Sequence, residues 1–440
     1  MSGIEKLLNV ISGWIWGPPL LILLFGTHLF LTFRLRFIQK HIIQGIKLSF
    51  SKRFGGLGDI SHFGALTTAL AATIGTGNIV GVATAVALGG PGAVFWMWLT
   101  GVFGIATKYS EAVLSVKYRI ANKKGQMSGG PMYVLEKGLK MKWLGILFAV
   151  FTAIAAFGIG NMVQANSIST LLKDSFHLPL WISGGIMTFI TALVILGGIK
   201  SIARVCEYLV PFMAVFYALG CVLLLLISYR TLPQTFHLIL TSAFCGQAAI
   251  GGFIGASLKE ATRYGIARGL FSNESGLGSA PIIAAAAKTK NPVEQALVSS
   301  TGTFWDTVVI CAITGLVIVN SGAWTKGING AALTKTAFEK IPFIGPIVLT
   351  VALLTFVFST IISWSYYGEK AMEYLFGIKA LLPYRYLWIV AVMVGSIATL
   401  PAVWAFADIA NALMVLPNLF SLILLNHEIV SETRAHLWKR

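Results

Sequence analysis

Apolar residues fill most positions over long stretches of this chain, and short polar segments separate the stretches. Runs of about 18 or more apolar residues recur, and each is long enough to form a helix that crosses a bilayer. The pattern predicts eleven spans, at 13–33, 62–88, 92–107, 143–172, 181–198, 208–228, 243–258, 296–320, 345–366, 386–404 and 409–426. We therefore expect an all-α polytopic membrane protein with eleven transmembrane helices.

Small and polar residues interrupt the span at 62–88, in the stretch ATIGTGNIVG. Backbone groups in hydrocarbon must be paired, so a helix unwinds there only beside a ligand, an ion or water. The freed N–H groups near Thr76 and Gly77 can hold an anionic group, and the freed carbonyls near Ala71 and Ile74 can hold a cation. The alternative is that the glycines let two helices pack closely.

The ten spans after the first divide into two sets of five, and the second set also begins with a glycine-rich span, GQAAIGGFIGAS. Sets with an odd number of spans have opposite orientations, and broken helices at matching positions of inverted halves indicate a secondary transporter's binding site. In this interpretation the Asn78 side chain can face either the anionic group or the cation. Phe253, beside Gly252, is expected to pack on a small substrate side chain, and the alternative is that Phe253 faces lipid. The expected units are an N-terminal helix with a basic interfacial helix, two five-helix repeats and a tail: 1–61, 62–229, 230–426 and 427–440.

Composition and charge narrow the class further. Only 11% of residues are charged and the mean hydropathy is +0.80, whereas soluble domains carry roughly 25% charged residues. Alternate connections hold 27 and 6 of the 33 Lys and Arg residues, and cytoplasmic loops carry such an excess. We therefore expect a plasma (inner) membrane protein with its N-terminus outside and its C-terminus in the cytoplasm. The net charge of +17 then indicates contact with an anionic leaflet and no nucleic acid.

Two stretches of the basic set have expected structures of their own. RFIQKHIIQGIKLSF (Arg36–Phe50) mixes apolar and basic residues at helical spacing, which predicts a helix along the membrane surface. The stretch 259–291 is expected to form an organised cytoplasmic connection within the second repeat.

Three long motifs resemble a known family: GTGNIVGVATAVALGGPGAVFWMWLTGVFGIATKYSEAVLSVKYR, GGPMYVLEKGL and GLFSNESGLGSAPIIAAAAKT. They resemble the alanine or glycine:cation symporters (AGCS), which are bacterial and archaeal sodium:alanine carriers, and the resemblance covers nearly the whole chain. It implies a LeuT-type core of five plus five inverted helices, preceded by one extra helix. It also implies cotransport of a small neutral amino acid with Na⁺ by alternating access. On this resemblance Thr76 and Gly77 bind the substrate carboxylate, and the carbonyls of Ala71 and Ile74 bind sodium.

The same resemblance gives roles to FVFSTIISWSYYGE. In LeuT-type carriers a Ser/Thr pair on the corresponding helix completes a sodium site, which implies Ser359 and Thr360 here, with the Phe356 carbonyl. Hydroxyl and carbonyl oxygens suit a hard cation. Thr360 could also face the substrate, Trp364 is expected as a wall of the site, and Gln164 as a substrate contact. The alternatives are hydroxyls bonded to their own helix, plain packing of the tryptophan, and an interhelical amide hydrogen bond.

Acidic residues and missing motifs complete the prediction. Asp306 is the most conspicuous acid near a span; it either couples an ion or pairs with a loop Lys or Arg. Glu111 is expected at the membrane interface, and Glu274 is expected to organise the FSNESGLGS loop. The sequence lacks protease, α/β-hydrolase and P-loop motifs, so an enzyme is not expected, and no cofactor is expected. A channel fits the inverted breaks less well than a carrier does. Proton coupling remains the alternative to sodium, and a monomer is compatible with the sequence, which does not fix the oligomeric state.

Overall fold

The computed structural model describes residues 3–51, 55–244, 258–398 and 401–438. The N-terminal part contains three helices, namely α1 (Gly3–Ile15), α2 (Pro18–Arg34) and α3 (Ile42–Ser49). Proline at the start of α2 costs no hydrogen bond, because the first N–H groups of a helix have no intrahelical acceptor. The helical stretch at 38–49 turns away from α2 by 69°. The helix expected near Arg36–Phe50 is therefore present, and its place on the membrane surface stays a prediction.

The next part runs from residue 62 to residue 227. Its helices are α4 (His62–Thr73), α5 (Val82–Gly89), α6 (Gly92–Lys117), α7 (Pro131–Tyr133), α8 (Lys142–Phe157), α9 (Val163–Phe176), α10 (Leu180–Ile195) and α11 (Gly198–Ile227). A short antiparallel hairpin of β1 (Ile120–Ala121) and β2 (Met127–Ser128) follows α6. Single π-helical turns at Gly77–Gly81, Val134–Gly138 and Gly158–Met162 lie within or beside these helices.

The remaining helices form the second part and the tail. They are α12 (Leu232–Phe244), α13 (Leu258–Asn273), α14 (Ala280–Ala284), α15 (Pro292–Thr303), α16 (Ala312–Ser321), α17 (Gly330–Phe338), α18 (Ile344–Phe376), α19 (Leu381–Ile397), α20 (Pro401–Leu424) and α21 (Asn426–Thr433). A π-helical segment, Phe304–Cys311, joins α15 to α16, and another, Arg434–Trp438, follows α21.

Helices of the two parts pack against each other in ordered pairs. The helix α6 lies against α13 and α15, α8 against α18, and α10 against α19. The helix α11 contacts both α4 and α18, so the first interrupted helix is held between long helices. Helices α6, α8 and α10 of the first part thus each pack on a helix of the second part.

The number of spans in the described residues is smaller than the eleven predicted. Six helices there are long and apolar enough to cross a membrane, and up to eight spans result if each of two bent pairs is one span. Helices such as α6 and α13 carry charged residues that lower their hydropathy. Eleven spans therefore stay a prediction.

The stretch 259–291 is organised, as the sequence predicts, and consists largely of α13 and α14, which pack against α6. Its position relative to the membrane stays a prediction. The glycine-rich stretch at 246–257, which includes Gly252 and Phe253, lies outside the described residues.

Candidate functional site

The first interrupted helix bends where the sequence predicts. The helix α4 ends at Thr73, the chain turns by 54°, and helical structure resumes at Gly77. Asn78 explains how the break is stabilised, since its Oδ1 accepts a hydrogen bond of 2.9 Å from the freed N–H of Gly75. The polarity of this stretch therefore serves its own backbone as well as any ligand.

A second interrupted helix lies beside the first, at the loop between α13 and α14. Glu274, Gly276 and Gly278 all have positive φ angles there, so the chain cannot continue as a helix. Glu111 Oε1 accepts hydrogen bonds from the N–H groups of Gly276 and Gly278, at 3.0 and 3.1 Å, and from Asn418 Nδ2 at 2.7 Å. Glu111 is 2% exposed and caps the second break, and its place at the membrane interface stays a prediction.

Asp306 connects the two breaks. It is fully buried, and its carboxylate accepts hydrogen bonds from Asn78 Nδ2 at 2.7 Å, Ser272 Oγ at 2.9 Å and Thr307 Oγ1 at 2.7 Å. Asn78 belongs to the first break, whereas Ser272 lies at the end of α13. Of the two expectations for Asp306, pairing with a loop Lys or Arg is not observed, because its hydrogen-bond partners in the described residues are neutral donors. Ion coupling through Asp306 stays a prediction.

A small cavity lies between the two breaks. Five predicted site residues line it, namely Thr76, Gly77, Gln164, Thr360 and Trp364. It is also lined by Ala72, Thr73, Gly75, Ile159, Phe271, Glu274 and Asn411. Asn78 is not among the lining residues, because its side chain is engaged with Gly75 and Asp306.

Two side chains of this cavity have distinct roles in its shape and polarity. Gln164 donates from Nε2 to the Ile159 carbonyl at 3.0 Å, and its Oε1 has no hydrogen-bond partner within the described ranges. Trp364 packs over Gly160, where a Cβ atom would come within 2.4 Å of the tryptophan Cβ. The glycine therefore lets the indole form a tight wall, and the glutamine leaves an acceptor for a ligand's N–H group.

An oxygen cluster lies where α18 meets the end of α4. The hydroxyls of Ser359 and Thr360 approach the Ala71 carbonyl oxygen at 3.1 and 3.2 Å, and the Phe356 carbonyl oxygen at 2.8 and 3.0 Å. Ile74, the fifth predicted member, is buried at the C-terminal end of α4. Carbonyl and hydroxyl oxygens that converge in this way form a suitable ligand set for a hard monovalent cation.

The chain entering α4 is tied to the chain leaving α14. Lys288 N donates to the Ile60 carbonyl at 2.8 Å, and Asp59 N donates to the Ala286 carbonyl at 2.7 Å. The Arg119 guanidinium donates to backbone carbonyls on both sides of this contact, including that of Leu57 at 2.8 Å. Burial lowers the pKa of Arg119 and raises that of Asp59. These hydrogen bonds therefore hold the segment before α4 against the segment after α14.

Sequence reasoning missed Phe271, Glu274 and Asn411 as cavity residues. The signal for the first two was present, since FSNESGLGS combines polar residues and glycines as the first break does. The basic residues of α13 made this region look like an exposed connection. No feature of the sequence around Asn411 distinguishes it from other polar residues in spans.

Two interrupted helices around one buried polar cavity define a secondary transporter fold. The structure is similar to that of MhsT in complex with L-phenylalanine, with a TM-score of 0.62, 16% identity, and coverage of 87% of this chain and 95% of that chain. It is also similar to a manganese transporter of Eremococcus coleocola, with a TM-score of 0.56, 13% identity, and coverage of 85% and 83%. The protein is therefore an all-helical, multi-pass membrane protein with a LeuT-like fold.

The sequence matches the Sodium:alanine symporter family over residues 1–440. It is 50% identical to the sodium/alanine symporter AgcS of Methanococcus maripaludis over 441 residues, which cover 98% of this chain and 96% of AgcS. It is 36% identical to the probable sodium/glutamine symporter GlnT of Bacillus subtilis over 431 residues, with coverage of 96% and 88%. The chain belongs to the sodium:alanine symporter family. It is a sodium-coupled secondary amino-acid transporter and not an enzyme.

Proposed function

We propose that this protein imports alanine and/or glycine together with Na⁺ by alternating access. The observation that carries the proposal is the oxygen cluster beside the cavity, in which Ser359 and Thr360 of α18 reach the Ala71 carbonyl of α4. The similarity to AgcS, which is a sodium/alanine symporter, supports the same substrate and ion.

The substrate is proposed to bind across the first break. Thr76 and Gly77 line the cavity at the start of the helical segment, where backbone N–H groups favour a carboxylate. The unpartnered Gln164 Oε1 accepts a hydrogen bond from the substrate ammonium. Trp364 and Phe271 leave little space, which favours a side chain no larger than a methyl group.

Na⁺ is proposed to bind to the carbonyl oxygens of Ala71, Ile74 and Phe356 and to the hydroxyls of Ser359 and Thr360. The hydroxyls now donate to carbonyls, and each can instead direct an oxygen lone pair at a cation. Because these groups belong to α4 and α18, an ion between them holds the first break against α18. The ion therefore stabilises the arrangement that completes the substrate cavity, and this is the proposed basis of coupling.

The proposed topology retains eleven crossings, with the N-terminus outside and the C-terminus in the cytoplasm. The sixth core span is now assigned to α13 and α14 instead of 243–258. Only Lys259, Arg263 and Arg268 leave the basic set of connections through this change, so most Lys and Arg residues remain on the cytoplasmic side.

The decisive experiment measures uptake of labelled alanine into proteoliposomes that contain the purified protein. An inward Na⁺ gradient is compared with the same vesicles in which choline replaces Na⁺. We expect accumulation with Na⁺ and background uptake with choline. Protein-free liposomes provide the control for leakage.

Two other results are informative. Equal accumulation in choline would contradict the sodium site. Accumulation in choline that needs an inward proton gradient would favour the proton-coupled alternative.

A further inference from the structure

The buried ionisable groups between the two breaks do not balance in charge. Glu111, Glu274 and Asp306 are at most 5% exposed, and Lys108, at 4%, lies within electrostatic range of all three. Lys108 Nζ has no hydrogen-bond partner in the part of the chain that the structure describes. With all three carboxylates ionised, one ammonium leaves an excess of two negative charges. An uncompensated buried charge is unfavourable, so compensating positive charge is expected here when the three acids are ionised.

Two of the three carboxylates are occupied with the backbone breaks. Asp306 accepts three hydrogen bonds from neutral donors, and Glu111 caps the N–H groups of the second break. Glu274 is different, because it is the one acid of the described residues that lines the cavity. It accepts a hydrogen bond from Ser279 Oγ at 2.5 Å and lines the cavity together with Trp364. Of the three, Glu274 is the acid that can meet an ion or a proton arriving with the substrate.

The surroundings of Glu274 favour a positive charge. Asn411 lines the same cavity, and its Oδ1 has no hydrogen-bond partner among the residues described. The charged and titratable groups that face Glu274 are Lys108 of α6, Asp306 of the π-helical segment and Tyr367 of α18.

The backbone conformation of Glu274 also supports a functional role for its carboxylate. Its φ of 55° is unfavourable for a residue with a side chain. A glycine or asparagine would fit this turn better, so a glutamate at this position carries a conformational cost.

The transported species do not supply enough charge by themselves. A neutral amino acid is a zwitterion with no net charge, and one Na⁺ at the α4–α18 cluster removes one of the two excess negative charges. We propose that Glu274, together with Asn411, takes up a second monovalent positive charge, a proton or a second Na⁺, with each amino acid transported. As a proton, it would leave water on one side, form an O–H bond on the carboxylate, and return to water on the other side. The inference rests on the proposed sodium symport.

The number of charges moved per alanine tests the proposal. Proteoliposomes with equal Na⁺ and equal pH on both sides are given a tenfold alanine gradient, and the membrane potential that stops net alanine flux is measured. This potential is about 59 mV for one charge and about 30 mV for two. We expect about 30 mV for the wild-type protein and about 59 mV for Glu274→Gln. Glu339→Gln, an exposed residue paired with Lys335, is the matched control and should give the wild-type value.

A further arm distinguishes the two ions. With two Na⁺, only an added Na⁺ gradient shifts the null potential. With one Na⁺ and one proton, an added pH gradient shifts it as well.

The outcomes separate this inference from the proposed function. A wild-type value near 59 mV, with uptake that still needs Na⁺, overturns the second charge and leaves sodium symport intact. A wild-type value near 30 mV that Glu274→Gln does not change overturns the role of Glu274.

Alanine exchange at equal Na⁺ shows whether the Gln variant is folded. If it is inactive, Asn411→Ala is the second test and is expected to raise the half-saturating concentration of the second ion roughly tenfold. An unchanged ion dependence in Asn411→Ala would then overturn the proposal.

Discussion

Adding a single methyl group at Gly160 should damage the substrate cavity through Trp364. A Cβ atom at this position would lie 2.4 Å from Trp364 Cβ, 2.5 Å from Cγ and 2.9 Å from Cδ2, whereas ordinary contacts begin at 3.4 Å. These atoms form the base of the side chain, so a rotation of the indole does not relieve the clash. Trp364 is 1% exposed, and its ring packs edge-on against that of Tyr367, with 5.1 Å between the ring centroids. A displaced Trp364 side chain can therefore move only into the cavity that it lines.

The size of the effect follows from the displacement. The tryptophan must retreat by about 1 Å, and overpacking of this kind costs roughly 1–3 kcal/mol. If the cost appears in the substrate-bound state, the KM for alanine in Gly160→Ala rises roughly 5- to 150-fold. Glycine, which lacks the methyl group, should be affected less, so the ratio of glycine to alanine transport should rise.

The assay is initial uptake of labelled alanine and glycine over a range of concentrations in proteoliposomes. Gly185→Ala in α10 is the matched control, because a Cβ atom there meets nothing within 4 Å. It shares the small gain in helix propensity, about 1 kcal/mol at most, and should leave both KM values unchanged. A Gly160→Ala protein that is folded and transports alanine with the wild-type KM would refute the wall formed by Trp364. An equal rise in KM for alanine and glycine would show that the substitution does not narrow the cavity in a way that depends on substrate size.

Two further predictions concern the ion cluster and the C-terminal contact. Ser359→Ala removes a proposed sodium ligand and should raise the half-saturating Na⁺ concentration roughly 10- to 100-fold. Ser365→Ala is the control and should leave this concentration unchanged, because the Ser365 hydroxyl bonds to its own helix. A similar Na⁺ dependence in both variants would contradict the proposed sodium site. Partial burial alone would raise the pKa of Glu428, but hydrogen bonds from Tyr118 and Lys117 outweigh it and hold the pKa below its usual 4.5. A carboxylate with a lowered pKa stabilises the fold above its unfolded-state pKa and loses this effect as the pH falls through the folded-state value. Glu428→Gln should therefore lower the melting temperature in detergent at pH 7, and the difference from wild type should disappear below about pH 4. If the melting temperatures still differ below pH 4, the effect of the substitution comes from packing and not from the charge of Glu428.

The first break illustrates how far sequence reasoning reached. Glycines beside Thr76 and Asn78 in an apolar run indicated an unwound helix, because such residues are unfavourable in hydrocarbon without partners. The sequence also showed Ser359 and Thr360 as a hydroxyl pair. What it did not show was that Asn78 pairs with the backbone of Gly75 and with Asp306, some 228 positions away.

The second break shows why the rest could not be predicted. Its glycines were visible, but Arg263 and Arg268 gave α13 the composition of an exposed segment. In the folded chain Arg268 is half-buried within electrostatic range of Asp408 of α20, so its charge is compensated by a residue that is remote in sequence. Hydropathy averages a local window, and it cannot register a partner supplied by another helix.

The sequence by itself determined the class of protein, the first break, the hydroxyl pair on α18 and the excess of basic residues in one set of alternate connections. These are properties of neighbouring residues, and elementary constraints on a chain in lipid act on them directly. Tertiary structure alone decided which loop became the second break, that Glu111 and Asp306 hold the two breaks, and that Glu274 and Asn411 line the cavity with Gln164. Each of these depends on contacts between helices far apart in the chain, whose relative positions are set by packing and cannot be read from local composition.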